Sequence, residues 1–283
     1  MGRFAALLLL AAAGCTSSST APTTAPTTTL FDTSDPRPLL TVSDSGCMMQ
    51  DCQPLDMPYA TVYPDGTVVS IGLPPAGDVA APTSRSLVAT TYQVDAHELD
   101  RLVRLATAAG LASHPSGGPL PMVPLPPGMQ MADEGYSYFV LRTGNTLTSQ
   151  SVDGVGIDPG YDTVPPRDSY AAIVDDIREL LIKGTPTGHP TISRWAIVAV
   201  DGPTVLPSPS DTWTGPPLDS LTWTTIGPRT RCAIVTRQDW PTEVAGENRY
   251  HARVGGADVS RRPILPHEHD CSDVATFRTA LGM

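Results

Sequence analysis

The densest run of ligand-type side chains is His267-Glu268-His269-Asp270. On an extended backbone alternate residues project to one side. His267 and His269 would then present two imidazoles together, and a nearby carboxylate could complete a zinc or copper site. The same alternation turns Glu268 away, and no third ligand stands at a suitable spacing. A solvated loop ahead of Cys271 accounts for the run equally well, so His267 and His269 are weak metal candidates and no cofactor is expected. A second stretch, Asp153 to Asp162 (DGVGIDPGYD), mixes carboxylates with glycines as a calcium loop does. Its spacing does not follow the EF-hand pattern, and Asp-Gly and Asp-Pro-Gly are ordinary turn formers.

Hydrolytic chemistry is marked chiefly by missing motifs. The chain has no Gly-x-Ser-x-Gly and no His-Glu-x-x-His. Its single lysine, Lys183, follows Leu180-Leu181-Ile182 and precedes Gly184, which excludes both a Ser-x-x-Lys pair and a phosphate-binding Gly-Lys-Ser/Thr loop. A Ser-His-Asp triad needs no sequence proximity and stays open. His97 reads as a surface residue at a helix start, and His114, His189 and His251 have no distinguishing context. Trp195, Trp213, Trp223 and Trp240 gather in the last third. Trp213 and Trp223 could line a ligand groove, although core packing is the commoner use of such rings.

The first cysteine belongs to other chemistry. One positive charge, Arg3, precedes an apolar block from Phe4 to Ala13, then Gly14 and Cys15. That block is too short to span a bilayer and matches a secretory signal. The order Ala12-Ala13-Gly14-Cys15 resembles the bacterial lipobox, which implies cleavage after residue 14 and a lipid on the Cys15 thiol. Residues Thr16–Thr29 are all Thr, Ser, Pro or Ala. Such a segment buries too little surface to offset the entropy of ordering, and its prolines favour extended conformations. Residues 15–38 therefore read as a tether.

Four cysteines remain: Cys47, Cys52, Cys232 and Cys271. In an exported chain an even number implies disulfides. Of three pairings, a local Cys47–Cys52 loop and a Cys232–Cys271 staple are favoured. A four-thiolate zinc site needs two tight pairs, and Cys232 and Cys271 are far too widely spaced.

The chain has 283 residues, a net charge of -11 and a mean hydropathy of -0.07. With no basic cluster beyond Arg261-Arg262, so acidic a chain is a poor ligand for nucleic acid or anionic lipid head groups. No apolar run after the signal is long enough to span a membrane.

Behind the tether, Leu39–Ser43 reads as a strand and Ala60–Ser70 as a hairpin about Asp65-Gly66. Leu87–Val94 is a further strand. A helix follows, started by an Asp95/Glu98 capping box and closed by Gly110. The order then repeats. Tyr136–Arg142 and Thr146–Val152 form a hairpin, and a helix capped by Asp168 runs to Gly184. Ser113–Gly128 holds six prolines in sixteen residues and must be a loop. Strands are expected at Arg194–Val200, Leu221–Ile226, Cys232–Thr236 and Tyr250–Val254, with a last helix at Ser272–Leu281. The fold class is α+β: antiparallel sheets from repeated hairpin-helix units, helices on one face, disulfide-stapled. Its parts are a signal (1–14), the tether (15–38), an N-terminal α+β domain (39–184) and a C-terminal α+β region (191–283).

The stretches TVYPDGTVVS, ELDRLVRLATAAGL and RRPILPHEHDC resemble a group of uncharacterised actinobacterial secreted lipoproteins. The resemblance implies compartment and shape, not an activity. The expected location is the extracytoplasmic face of the cell membrane, with the membrane engaged through lipid on Cys15. An envelope protein or wall ligand would be the partner, and nucleic acid would not. Two function classes are compatible: a non-enzymatic binding or scaffold lipoprotein, and an envelope hydrolase acting on a cell-wall or peptide substrate. Linear sequence does not decide between them.

Overall fold

The computed structural model describes residues 31–45, 58–72, 88–113, 136–153, 155, 166–190, 192–202, 213–236, 238–239 and 250–280. Cys15, Cys47, Cys52, His114, Trp240 and nearly all of the acidic 153–162 stretch lie outside them.

The first sheet has seven antiparallel strands: β1 (Leu40–Ser45), β2 (Ala60–Val62), β3 (Thr67–Gly72), β4 (Val88–Gln93), β5 (Tyr136–Thr143), β6 (Thr146–Asp153) and β7 (Pro186–Gly188). Their order is β6-β5-β1-β2-β3-β4-β7. The β2–β3 turn depends on Gly66, whose φ is +85° and where any Cβ would stand 2.5 Å from the Val94 carbonyl oxygen. Glycine alone meets both constraints without strain.

Helices α1 (Ala96–Ala108) and α2 (Arg167–Lys183) pack against residues of this sheet in one core. Leu99, Leu102, Val103 and Ala106 recur at helical spacing along α1 and bury against Leu40, Val62 and Phe139 of the sheet. Tyr170, Ile173, Val174 and Ile177 do the same for α2, and Tyr170 packs on Phe139 with ring centres 4.9 Å apart. Asp95 caps α1 by accepting from the Glu98 amide at 2.9 Å. The reciprocal half of the expected capping box is not made, because the Glu98 carboxylate turns to Arg101 instead. Arg101 also pairs with Asp176, joining the two helices. The expected Asp168 cap is corrected as well: Pro166 holds the N-cap position of α2, and Asp168 lies inside the first turn.

The second sheet is five-stranded and antiparallel, in the order β11-β12-β8-β10-β9. Its strands are β8 (Arg194–Asp201), β9 (Thr224–Gly227), β10 (Thr230–Thr236), β11 (Tyr250–Val254) and β12 (Ala257–Pro263). Alternation along β8 sorts its two faces. Ala196, Val198 and Val200 face helix α3 (Cys271–Ala280) through Val274 and the Cys232–Cys271 disulfide. Ile197 and Ala199 face Trp213, Leu218, Leu221 and Trp223 on the preceding loop. Leu221 thus lies ahead of β9, which starts three residues later than expected.

Strand β12 was not expected from sequence. Its run Ala257–Pro263 carries Asp258, Arg261 and Arg262, yet every residue is buried and the strand pairs on both sides, with β11 and β8. Arg261-Arg262 is therefore not a surface basic patch.

Candidate functional site

The run 267–270 sits in a strap, residues 264–270, that leaves β12, crosses to the first sheet and enters α3. Leu265, 2% exposed, is inserted among Tyr63, Val69, Ile71 and Ala89 on the face of the first sheet opposite α1 and α2. The strap turns there, since the Glu268 amide donates to the Leu265 carbonyl at 2.9 Å. A turn cancels the strand-like alternation on which the paired-imidazole reading depends.

Each polar side chain of the run takes a separate role. Glu268 is buried and accepts from Arg262 at 2.8 and 2.5 Å and from the Leu265 amide at 2.8 Å. Burial pushes its carboxyl upward, but the Arg262 charge and hydrogen bonds more than offset this and hold it below the usual carboxylate range. The expectation of a solvated loop is thereby corrected. His267 meets Tyr63, with Nδ1 2.8 Å from the phenol oxygen and the rings edge-on at 5.6 Å. Burial lowers the His267 pKa; Arg262 and Arg142 act in the same direction, while Glu268 and Asp273 oppose them. Tyr63 is shifted up, by burial first and the Glu268 charge next, so it keeps its proton at neutral pH.

His269 is exposed, and its amide donates to Asp273 at 2.7 Å. Asp270 caps α3, accepting from the Ser272 and Asp273 amides. Arg194 braces the whole turn by donating to the Glu268 and His269 carbonyls. Among the described residues no group of three or more metal-ligating side chains is assembled.

The two tryptophans read as groove candidates are partly buried core covers. Each indole N–H is satisfied within its own loop, Trp213 on the Pro216 carbonyl and Trp223 on that of Leu218. Arg231 stacks over Trp223 at 4.5 Å. His97 is exposed at the start of α1, and His189 bonds the Ala89 carbonyl at 2.9 Å.

Beside the strap opens a cleft of about 380 Å³. Its walls are the chain entering the fold (Thr33 to Pro36), the β2–β3 turn (Tyr63, Asp65, Thr67) and Pro266 of the strap. Asp35 on the rim pairs with Arg37, whose hydrogen bonds lower its carboxyl to about 2. Sequence reasoning missed this cleft because its three walls lie some 30 and 200 residues apart in the chain, and the turn motifs on each are individually ordinary.

No family model matches the chain, and neither a curated protein nor a solved structure matches it. Among the described residues no helix is long and apolar enough to cross a membrane.

Proposed function

We propose that the chain is a lipid-anchored envelope module of the lipoprotein group it resembles, on the extracytoplasmic face, working by binding rather than by catalysis. The scaffold reads as hairpin-helix units on an α+β plan. The observation that carries the reading is the commitment of the chain's densest reactive cluster to structure. Glu268 neutralises Arg262, His267 meets Tyr63 and Asp270 caps a helix. In the function that remains, the cleft between the entering chain, the β2–β3 turn and the strap receives an envelope protein or a wall component. Phe31 packs against the first core, so the entry point of the tether is fixed beside that cleft. Phe31 lies sixteen positions after Cys15, a span of about 55 Å when fully extended. A ligand held in the cleft would thus stay within that reach of the membrane.

Two experiments test the reading. Cys15→Ser should move the protein from the membrane fraction to the soluble one; unchanged membrane retention contradicts the anchor. Co-sedimentation with purified cell-wall sacculi should be seen for the wild type and lost in Thr67→Trp, which fills the cleft. Equal sedimentation of both removes the cleft as the wall-binding surface.

A further inference from the structure

Strand β4 pairs with β3 along all of its length, from Val88 to Gln93. Its outer edge is met by β7 at two positions, Thr91 opposite Gly188 and Tyr92 opposite Pro186, with the register shifting between them. Side-chain bonds reinforce this short ladder. Thr187 Oγ1 donates to the Thr91 carbonyl at 3.2 Å, Thr91 Oγ1 to the Gly188 carbonyl at 2.7 Å, and His189 Nδ1 to the Ala89 carbonyl at 2.9 Å. Ala89 and Thr91 stand two residues apart, so their carbonyls leave the same side of the strand, and Thr187 and His189 hold both.

The two strands differ in character. β7 is three residues long and exposed throughout. Pro186 has no amide hydrogen to offer a further strand, and Gly188 takes a φ of +149°, open to glycine but not to a side chain. Such a segment ends a sheet rather than extending it. β4 reads VATTYQ, rich in β-branched and aromatic residues, with no proline, glycine or charge. Uncharged six-residue runs of high strand propensity are the ones that add a further strand when their edge is open. The end strand of this sheet thus has an edge suited to pairing, covered by a segment unsuited to it.

We infer that the β4 edge is a self-association surface for the β4 edge of a second copy, held closed in the single chain by residues 185–190. Neighbouring strands lie about 4.8 Å apart, so the position beside β4 holds β7 or a second β4 and not both. Two identical antiparallel edges are related by a twofold axis, so one surface serves both partners and the pair leaves neither β4 edge open. Thr187 and His189 are the pins that keep the covering segment in place. On the proposed membrane location, anchoring copies side by side raises their effective concentration, which makes the cover matter most there.

Size-exclusion chromatography with light scattering tests this on the mature chain carrying Cys15→Ser in every form, so that no lipid drives association. From micromolar to millimolar concentration the chain with no further change should keep the monomer mass. Thr187→Val with His189→Ala, at two exposed positions, removes both pins, and the mass should rise with concentration to twice the monomer's. Adding Thr91→Lys puts a charge into the uncharged edge, which disfavours strand addition, and should restore the monomer. A double variant that stays monomeric with its fold intact by circular dichroism overturns the inference. So does association that survives Thr91→Lys, or a dimer already formed with both pins present. Should the double variant not fold, His189→Ala alone decides: it frees the Ala89 carbonyl, and a monomer over the whole range overturns the inference.

Discussion

Arg262 and Glu268 face each other through two hydrogen bonds of 2.8 and 2.5 Å, with side chains only 3% and 4% exposed. Five residues lie between them, and over these the strap leaves the second sheet and docks on the first. An ion pair buried this completely adds modest net stability when intact but is costly to break on one side. Glu268→Gln should therefore destabilise the protein by roughly 3–5 kcal/mol, through the charge left on Arg262. Adding Arg262→Met should restore most of the loss. Urea unfolding midpoints check both, and a double variant no more stable than the single one would contradict the account.

The same pair sets an acid limit. The folded carboxyl of Glu268 lies below its ordinary value, so its contribution is present above the unfolded pKa and is lost as pH falls through the folded one. Acid unfolding of the wild type should begin below about pH 4.3, the ordinary glutamate value, and the double variant Glu268→Gln with Arg262→Met should show a shallower acid limb. Circular dichroism followed from pH 6 to 2 reads this out.

His267 acts at a higher pH. Its folded pKa lies below the ordinary imidazole value, so near pH 6 the unfolded chain binds more protons than the folded one. Stability should fall as pH drops from about 6.5 and level off once the folded imidazole is itself protonated. His267→Gln should flatten this segment of the stability curve. Unfolding midpoints at half-unit steps from pH 7.5 to 5 make the comparison.

The Cys232–Cys271 disulfide closes a loop of 39 residues between β10 and the first turn of α3. Constraining the unfolded chain over that length is worth about 3–4 kcal/mol. Cys232→Ser with Cys271→Ser should lower stability by that order, and adding reductant should weaken the wild type more than the double variant, which keeps only the expected Cys47–Cys52 pair. Identical melting of both forms under oxidising conditions would remove the staple's role.

Leu265 is the apolar anchor of the strap. Leu265→Ala should cost about 2–5 kcal/mol, as is usual for a fully buried leucine. Its effect should exceed that of Ile182→Ala on α2, whose side chain is 82% exposed. Thermal midpoints of the two variants decide this.

Strands with clean alternation and a sharp turn were legible in sequence. The Asp65-Gly66 turn, the Tyr136–Asp153 hairpin and the apolar stripe of α1 all stand where periodicity puts them. The strap and β12 were not legible, and for one reason. Asp258, Arg261 and Arg262 are charged residues on a buried strand, and their burial depends on partners elsewhere in the fold. Local propensity carries no information about such pairing, so a central strand read as a polar loop. His267 and Glu268 were conspicuous for their chemistry, but the turn at Leu265–Glu268 that separates their roles is set by contact with a sheet some 200 residues earlier. The short edge strand β7 falls in a Pro- and Gly-rich stretch where sequence shows only breakers.

The proposed membrane anchor depends on the chemistry of the Cys15 thiol. Mass spectrometry of the N-terminal peptide, from protein purified out of the membrane fraction of cells fed an alkyne fatty acid, measures it. The predicted result is a mature chain that begins at Cys15 with the label on that residue, and no label in Cys15→Ser. An unlabelled N-terminus, or one cut at another position, would contradict the lipid-anchored reading.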